Sequence, residues 1–363
     1  MTHFLGLVGV PVYYHYFGIS GSEWLLFAVY LIASMLSVTM GYHRLYAHMT
    51  YKAHSFAQFL FLFFGAAAFQ QSALKWSSQH RTHHQFVDTE KDPYNIKRGF
   101  SYAHMGWLMF WRFPNHFENV VDLEKNPLLV HQHRYYKLWA IGAGMVTPLI
   151  IGLLTGHLLG AALIAVCLRL ALAYQFTFCI NSVCHMFGKA TYDIYSTAKD
   201  HWFAALLTFG EGYHNFHHHF PSDYRNGVRW YQWDPTKWLI QLMAAFGLAQ
   251  NLKTISKFRI FSAKLRAEKQ RVDDLLGSHP VTTLQGIRDS LLKNYDRLKD
   301  SLSKLEVNTY ERRAAIAKGL AYPGEVLETQ IEKFQEAKRE FKRNLYIWKK
   351  VYSAALSMAA FQN

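Results

Sequence analysis

Two copies of the pattern His-x-x-His-His constrain this chain more than any other feature: His80, His83 and His84, then His214, His217 and His218. On a helix, positions i, i+3 and i+4 share a face, so each copy projects three imidazoles together. A looser pair, His43 and His48, follows an apolar run, and His185 ends the stretch NSVCH. Imidazole is a ligand for zinc, copper, iron and nickel, and one ion takes about four to six donors. Nine histidines exceed one site and suit two ions side by side. Chance clustering among 20 histidines does not produce two such boxes plus a pair, each beside an apolar segment. The fold has to bring four distant segments to one point.

The apolar runs say where that point lies. Residues 1–41 contain no Lys or Arg and residues 138–184 contain only Arg169, while the rest carries nearly all the charge. Runs near 4–19, 24–41, 138–154 and 158–181 each approach the ~20 residues that cross a bilayer, which predicts four transmembrane helices. The first run has neither a basic leader nor a small-residue cleavage site and is expected to be a retained span. The loops at 20–22 and 155–157 are short and uncharged, whereas 42–137 and the tail are rich in Lys and Arg, so the latter two and both termini are expected on the cytosolic side. All nine histidines then fall on that same side.

A net charge of +14 is spread over membrane-flanking loops and the tail, which fits lipid headgroups and acidic partners and not nucleic acid. Cys167, Cys179 and Cys184 are read as reduced, packed thiols. The apolar stretch 56–74 is expected to be an interfacial helix, because a fifth span would put the later boxes on the wrong side of the membrane. On a regular helix His43 and His48 point about 140° apart, so the helix is expected to end or bend between them.

The order HRLYAH, HRTHH, NSVCH, HNFHH, with GYHRLYAH, DPYNIKRGF, HMGWL, EGYHNFHHHFP and DYR around it, resembles the membrane-bound fatty acyl desaturases, most closely the acyl-CoA delta-9 (stearoyl-CoA type) branch, over roughly residues 5–245. The resemblance implies an all-α integral membrane desaturase domain over 1–250. Its cytosolic cap (42–137 and 185–250) would hold two Fe2+ ions on His43, His48, His80, His83, His84, His185, His214, His217 and His218, with Asn181 acting through a water. It implies oxygen-dependent introduction of a cis double bond into a sixteen- or eighteen-carbon acyl chain, carried as acyl-CoA. Gln70, Trp76 and Thr177 would border the bend of that chain, and Leu31 and Met35 the closed end of its tunnel, where a bulky Met35 favours sixteen carbons. One departure stands out. Where the branch carries Arg-Asp against the CoA head, this chain has Ser78-Gln79, which keeps an acyl-lipid desaturase or a hydroxylase on the same scaffold as alternatives.

Lys97 and Arg98 are read as a solvated face, the alternative being contact with CoA phosphates. His104, His116, His131 and His133 lack ligand spacing and are expected at the surface or interface, and His219 is expected to miss the metals. Arg169, in mid-span, must line or brace the site, since a charge there is costly. Residues 251–363 form a charged tail with helices expected over 261–276, 284–320 and 323–360, punctuated at His279-Pro280 and Pro323-Gly324. It is read as a helical hairpin packed under the cap, or as a coiled coil for homo-oligomerisation or electron-donor docking. Neither a His-Pro-Gly-Gly haem motif nor a G-x-G-x-x-G occurs in these residues, so electrons are expected from a ferredoxin or cytochrome b5 type carrier with its reductase. A bacterial inner membrane is expected in preference to the endoplasmic reticulum. A histidine-rich metal transporter, the competitor from another class, would need polar residues through its spans, and here the histidines collect at one membrane face.

Overall fold

The computed structural model describes residues 1–110, 117–277, 281–317 and 324–361. The described chain is mostly helical and divides into two compact units, Met1–Ala190 with Ser196–Thr254, and Thr191–Tyr195 with Ile255–Asn363. His116, His279, Pro280 and Pro323 lie outside the described residues.

Within the first unit, three helices are long and apolar enough to cross a membrane: Gly21–Ala47, Tyr136–Leu154 and Leu158–Met186. A fourth helix over 2–17 falls short of that length. Gly21–Ala47 starts from a capping box in which the Ser20 side chain accepts from the Glu23 amide while the Glu23 carboxylate accepts from the Ser20 amide. The stretch 56–74 is not one helix: Ser55–Ala67 and Ala73–Phe86 are separated by a turn in which Phe69 and Gln71 take positive φ. Ser72 caps the second of these, which carries the first histidine box.

Close approach holds the helices together. A side chain at Gly65 would begin 2.5 Å from the Tyr42 ring, so Ser55–Ala67 lies flush against Gly21–Ala47 only because this position is glycine. Arg169 is wholly buried and braces three helices, donating to the carbonyls of Ala165 (2.7 Å), Ala67 (2.7 Å) and Gly144 (2.9 Å). The Ala67 carbonyl belongs to the last turn of its helix, where carbonyls lack a helical partner, so the guanidinium satisfies a group that the apolar surroundings would otherwise strand.

The helix does not end between His43 and His48. From Ser37 to Ala47 it widens to a π-helix, and the His48 amide donates to the His43 carbonyl five residues back at 3.1 Å. Widening stacks residue i+5 over residue i, which removes the divergence a regular helix would impose.

In the second unit Lys257–Gly277, Val281–Ala317 and Gly324–Phe361 pack around a core of their own, with Leu265, Leu276, Leu298 and Trp348 at its centre. It is a three-helix arrangement, with one helix for each expected in the tail. The Trp348 indole N–H donates to Glu268 at 2.8 Å, so the ring is buried without stranding its donor.

Candidate metal centre

Nine imidazoles converge at the ends of the Gly21–Ala47 and Leu158–Met186 helices as two clusters. His43, His48, His80, His84 and His217 form one, and His83, His185, His214 and His218 the other, with ligand atoms in each within 4.8 Å of one another. Each His-x-x-His-His box is shared. His80 and His84, an i, i+4 pair, enter the first cluster and His83 the second, while His214 and His218 enter the second and His217 the first. The clusters adjoin, since the His84 and His218 rings stack with centroids 4.2 Å apart. His219 belongs to neither cluster and packs edge-on against Phe220.

The donor chemistry fits metal ions. His43 Nδ1 lies 2.8 Å from a Glu211 carboxylate oxygen and His83 Nδ1 2.7 Å from Asp92. A carboxylate only accepts, so His83, hydrogen-bonded to Asp92, carries its proton on Nδ1 and presents a bare Nε2 lone pair inward. His217 Nε2 lies 2.9 Å from both His43 Nε2 and His84 Nε2, and His214 Nε2 lies 3.0 Å from those of His185 and His218. One proton cannot satisfy three converging nitrogens. Donors about 2.1 Å from a shared ion sit roughly 3 Å from each other, which is the spacing found.

Electrostatics agree. Burial, and after it the neighbouring imidazoles, push His48, His80, His84, His214, His217 and His218 well below the ordinary histidine value, so they stay neutral and able to ligate. For Glu211, burial works upward, but His43 and Arg44 outweigh it and hold the carboxyl below the usual range. Arg44, buried beside it, donates to Glu211 (3.0 Å), Asp234 (3.0 Å) and the Tyr224 carbonyl (2.8 Å). For Asp92, burial is likewise outweighed by His83 and by amide donors from Tyr94 and Asp88. Glu211 and Asp92 contact histidine rings in the way carboxylates beside metal ligands do, and went unassigned in the sequence although Glu211 opens the EGYHNFHHHFP box and Asp92 opens DPYNIKRGF, eight residues past His84.

A cavity of about 350 Å³ runs from Met35 past Gln70, Trp76 and Thr177 to His43, His80, His83 and His214. Gln70 donates to the Thr177 hydroxyl at 2.9 Å, that hydroxyl faces the Met35 sulfur at 3.8 Å, and Trp76 stacks on His80 with centroids 4.8 Å apart. Asn181 and Gln79 also line it. Leu31 does not, and the wall on that helix starts at Met35. His104 is half-buried against the Leu158–Met186 helix and pairs with Ser182 Oγ and Gln175 Oε1, both at 2.8 Å. His133, also half-buried, pairs with Ser72 Oγ at 2.7 Å, whereas His131 is exposed, as are Lys97 and Arg98.

Comparison with known proteins fits this picture. The chain is 42% identical over 254 residues to a probable acyl-CoA desaturase of Schizosaccharomyces pombe, which takes in 69% of this chain and 53% of that protein. Stearoyl-CoA desaturase 4 of Mus musculus is 36% identical over 265 residues (70% of this chain, 72% of the relative). Palmitoyl-monogalactosyldiacylglycerol delta-7 desaturase, chloroplastic, of Arabidopsis thaliana is 32% identical over 255 residues (68% and 63%). The chain thus spans about half the length of the fission-yeast relative. These relatives are eukaryotic, and the expected preference for a bacterial inner membrane finds no support in them. The fatty acid desaturase family model matches residues 22–253, the stretch that supplies all nine histidines and the three long apolar helices, and the chain belongs to that family.

Proposed function

We propose that this protein introduces a cis double bond at the delta-9 position of a saturated sixteen- or eighteen-carbon acyl chain, carried as acyl-CoA. The observation that carries the reading is the cavity, which is lined both by Met35 and by four of the converging histidines. The nine histidines, with Asn181 acting through a water, would hold two iron ions, which would supply the oxidising power for removal of two hydrogens from adjacent methylenes. Overall, the acyl chain, dioxygen, two electrons and two protons give the alkene and two waters.

The chain's own residues do the rest. Gln70 and Thr177, hydrogen-bonded across the cavity, and Trp76, held flat on His80, fix where the acyl chain bends. Met35 limits how far it penetrates, so the bond position becomes a distance along the cavity. Apolar walls, among them Trp107 and Phe178, keep bulk water from the reacting methylenes. Electrons come from a ferredoxin or cytochrome b5 type donor with its reductase. The helix over 2–17 serves as the fourth span, with both termini and the centre on the cytosolic side.

A second reading is an acyl-lipid substrate. Gln79, half of the Ser78-Gln79 departure, lines the cavity, and the Arabidopsis relative is named for a galactolipid-linked acyl group. Expression in a desaturase-deficient host, with double bonds located by mass spectrometry, tests both. A new cis-9 monoene that vanishes in His84→Ala is expected, appearing in acyl-CoA before glycerolipid after a short labelling pulse. No new monoene, with iron bound and a working donor, would overturn the proposal.

A further inference from the structure

The two clusters are not supported alike, and the difference identifies residues with a role outside the histidine set. In the five-histidine cluster one ring, His43, leans on a carboxylate, Glu211, which also accepts from Arg44. In the four-histidine cluster, which has one imidazole fewer, two rings are tied to carboxylates, and both ties trace to the short turn after the Ala73–Phe86 helix. Asp92 accepts from His83 Nδ1 through one oxygen and from the Asp88 amide, at 3.1 Å, through the other. That second bond fixes Asp88, whose φ of 64° is a left-handed conformation that Asp tolerates. The Asp88 carboxylate in turn accepts the Thr197 hydroxyl proton at 2.8 Å, and Thr197 Oγ1 lies 2.8 Å from His185 Nδ1.

The proton count along this string has one solution. Asp88 can only accept, so the Thr197 hydrogen points at it, and the hydroxyl oxygen is left to accept from His185. His185 therefore carries its proton on Nδ1 and turns a bare Nε2 inward.

We propose that Thr197 and Asp88 are positioning residues for the four-histidine site. They set the tautomer and ring orientation of His185, and Asp88 lends it negative charge through the hydroxyl, so that one turn, 88–92, organises two of that site's four ligands. The inference rests on the metal centre of the proposed function and concerns one of its two ions.

The test counts ions and assays no fatty acid, so a failure of desaturation leaves its outcome readable. Full-length protein in detergent is loaded with Fe2+ under argon, or with Co2+, and the ions retained per chain are followed during exposure to a chelator. Thr197→Val exchanges the hydroxyl for a methyl of similar shape and is expected to speed loss of one ion about 10- to 100-fold, the usual cost of removing such a partner, while the other leaves at the parental rate. Asp88→Asn is expected to act in the same direction and Thr197→Ser to restore retention. Glu211→Gln, which touches the other cluster, is expected to speed the other ion, so that the double variant loses both quickly. Melting of the metal-free variants checks that the fold persists. Parental release of both ions from Thr197→Val, or equal acceleration of both, would overturn the proposal.

Discussion

At the scale of single residues the site depends on charges that neutralise one another out of water. Glu211 is buried between His43 and Arg44, and Arg44 has Asp234 as its remaining carboxylate. Breaking such a buried pair costs about 3–5 kcal/mol, because the surviving charge loses its partner without regaining water. Glu211→Gln is therefore expected to lower the melting temperature in detergent as well as metal retention, and an unchanged melt would count against this account of Arg44. The imidazoles predict a pH dependence. His48, His80, His84, His214, His217 and His218 bind their protons less readily when folded than when unfolded, so the unfolded state takes up protons first as pH falls. Stability from these groups is complete above the unfolded value of about 6.5 and is lost as pH drops below it. Melts of the metal-free protein from pH 8 to 5 should show a decline beginning near pH 6.5, and a flat profile would refute it.

At the scale of elements, helix geometry and helix contacts do work that no single side chain can. The π-helix over Ser37–Ala47 brings His48 edge-on to His43, and Arg169 ties three helices through carbonyls. Arg169→Met fills similar volume but leaves those carbonyls unpaired. At about 1–3 kcal/mol for each group stranded in an apolar setting, the variant should melt several degrees lower or fail to accumulate in membranes. Met35 belongs to this scale too, as a wall of the cavity contributed by the Gly21–Ala47 helix. In the proposed reaction Met35→Ala deepens the cavity and should raise the ratio of eighteen- to sixteen-carbon monoenes read by gas chromatography. An unchanged ratio would place the chain-length limit elsewhere.

For the whole molecule, the second unit has a core that uses all three of its helices, with Leu265 and Leu276 from the first, Leu298 from the second and Trp348 from the third. A unit with its own core can in principle fold alone, and this is open to test. Residues 255–363 expressed alone should give a helical spectrum and a cooperative melt, which Trp348→Ala lowers by about 3–5 kcal/mol. A featureless melt would show that this unit depends on the first.

The sequence by itself determined that nine histidines gather beside a membrane, because ligand type, box spacing and apolar runs are local properties written in adjacent residues. It also determined the tail helices to within a few residues, since a 3.6-residue period needs no tertiary information. Only the tertiary structure decided which imidazole joins which cluster, because i, i+3 and i+4 share a face but leave open how two ions divide it. It likewise decided that the helix stays continuous past His43, since a bond from residue i+5 to residue i leaves no mark in composition. The partners Glu211–His43, Asp92–His83 and Thr197–His185 were out of reach for the same reason: a polar contact between segments depends on where the backbone brings them, and no period in the chain records that.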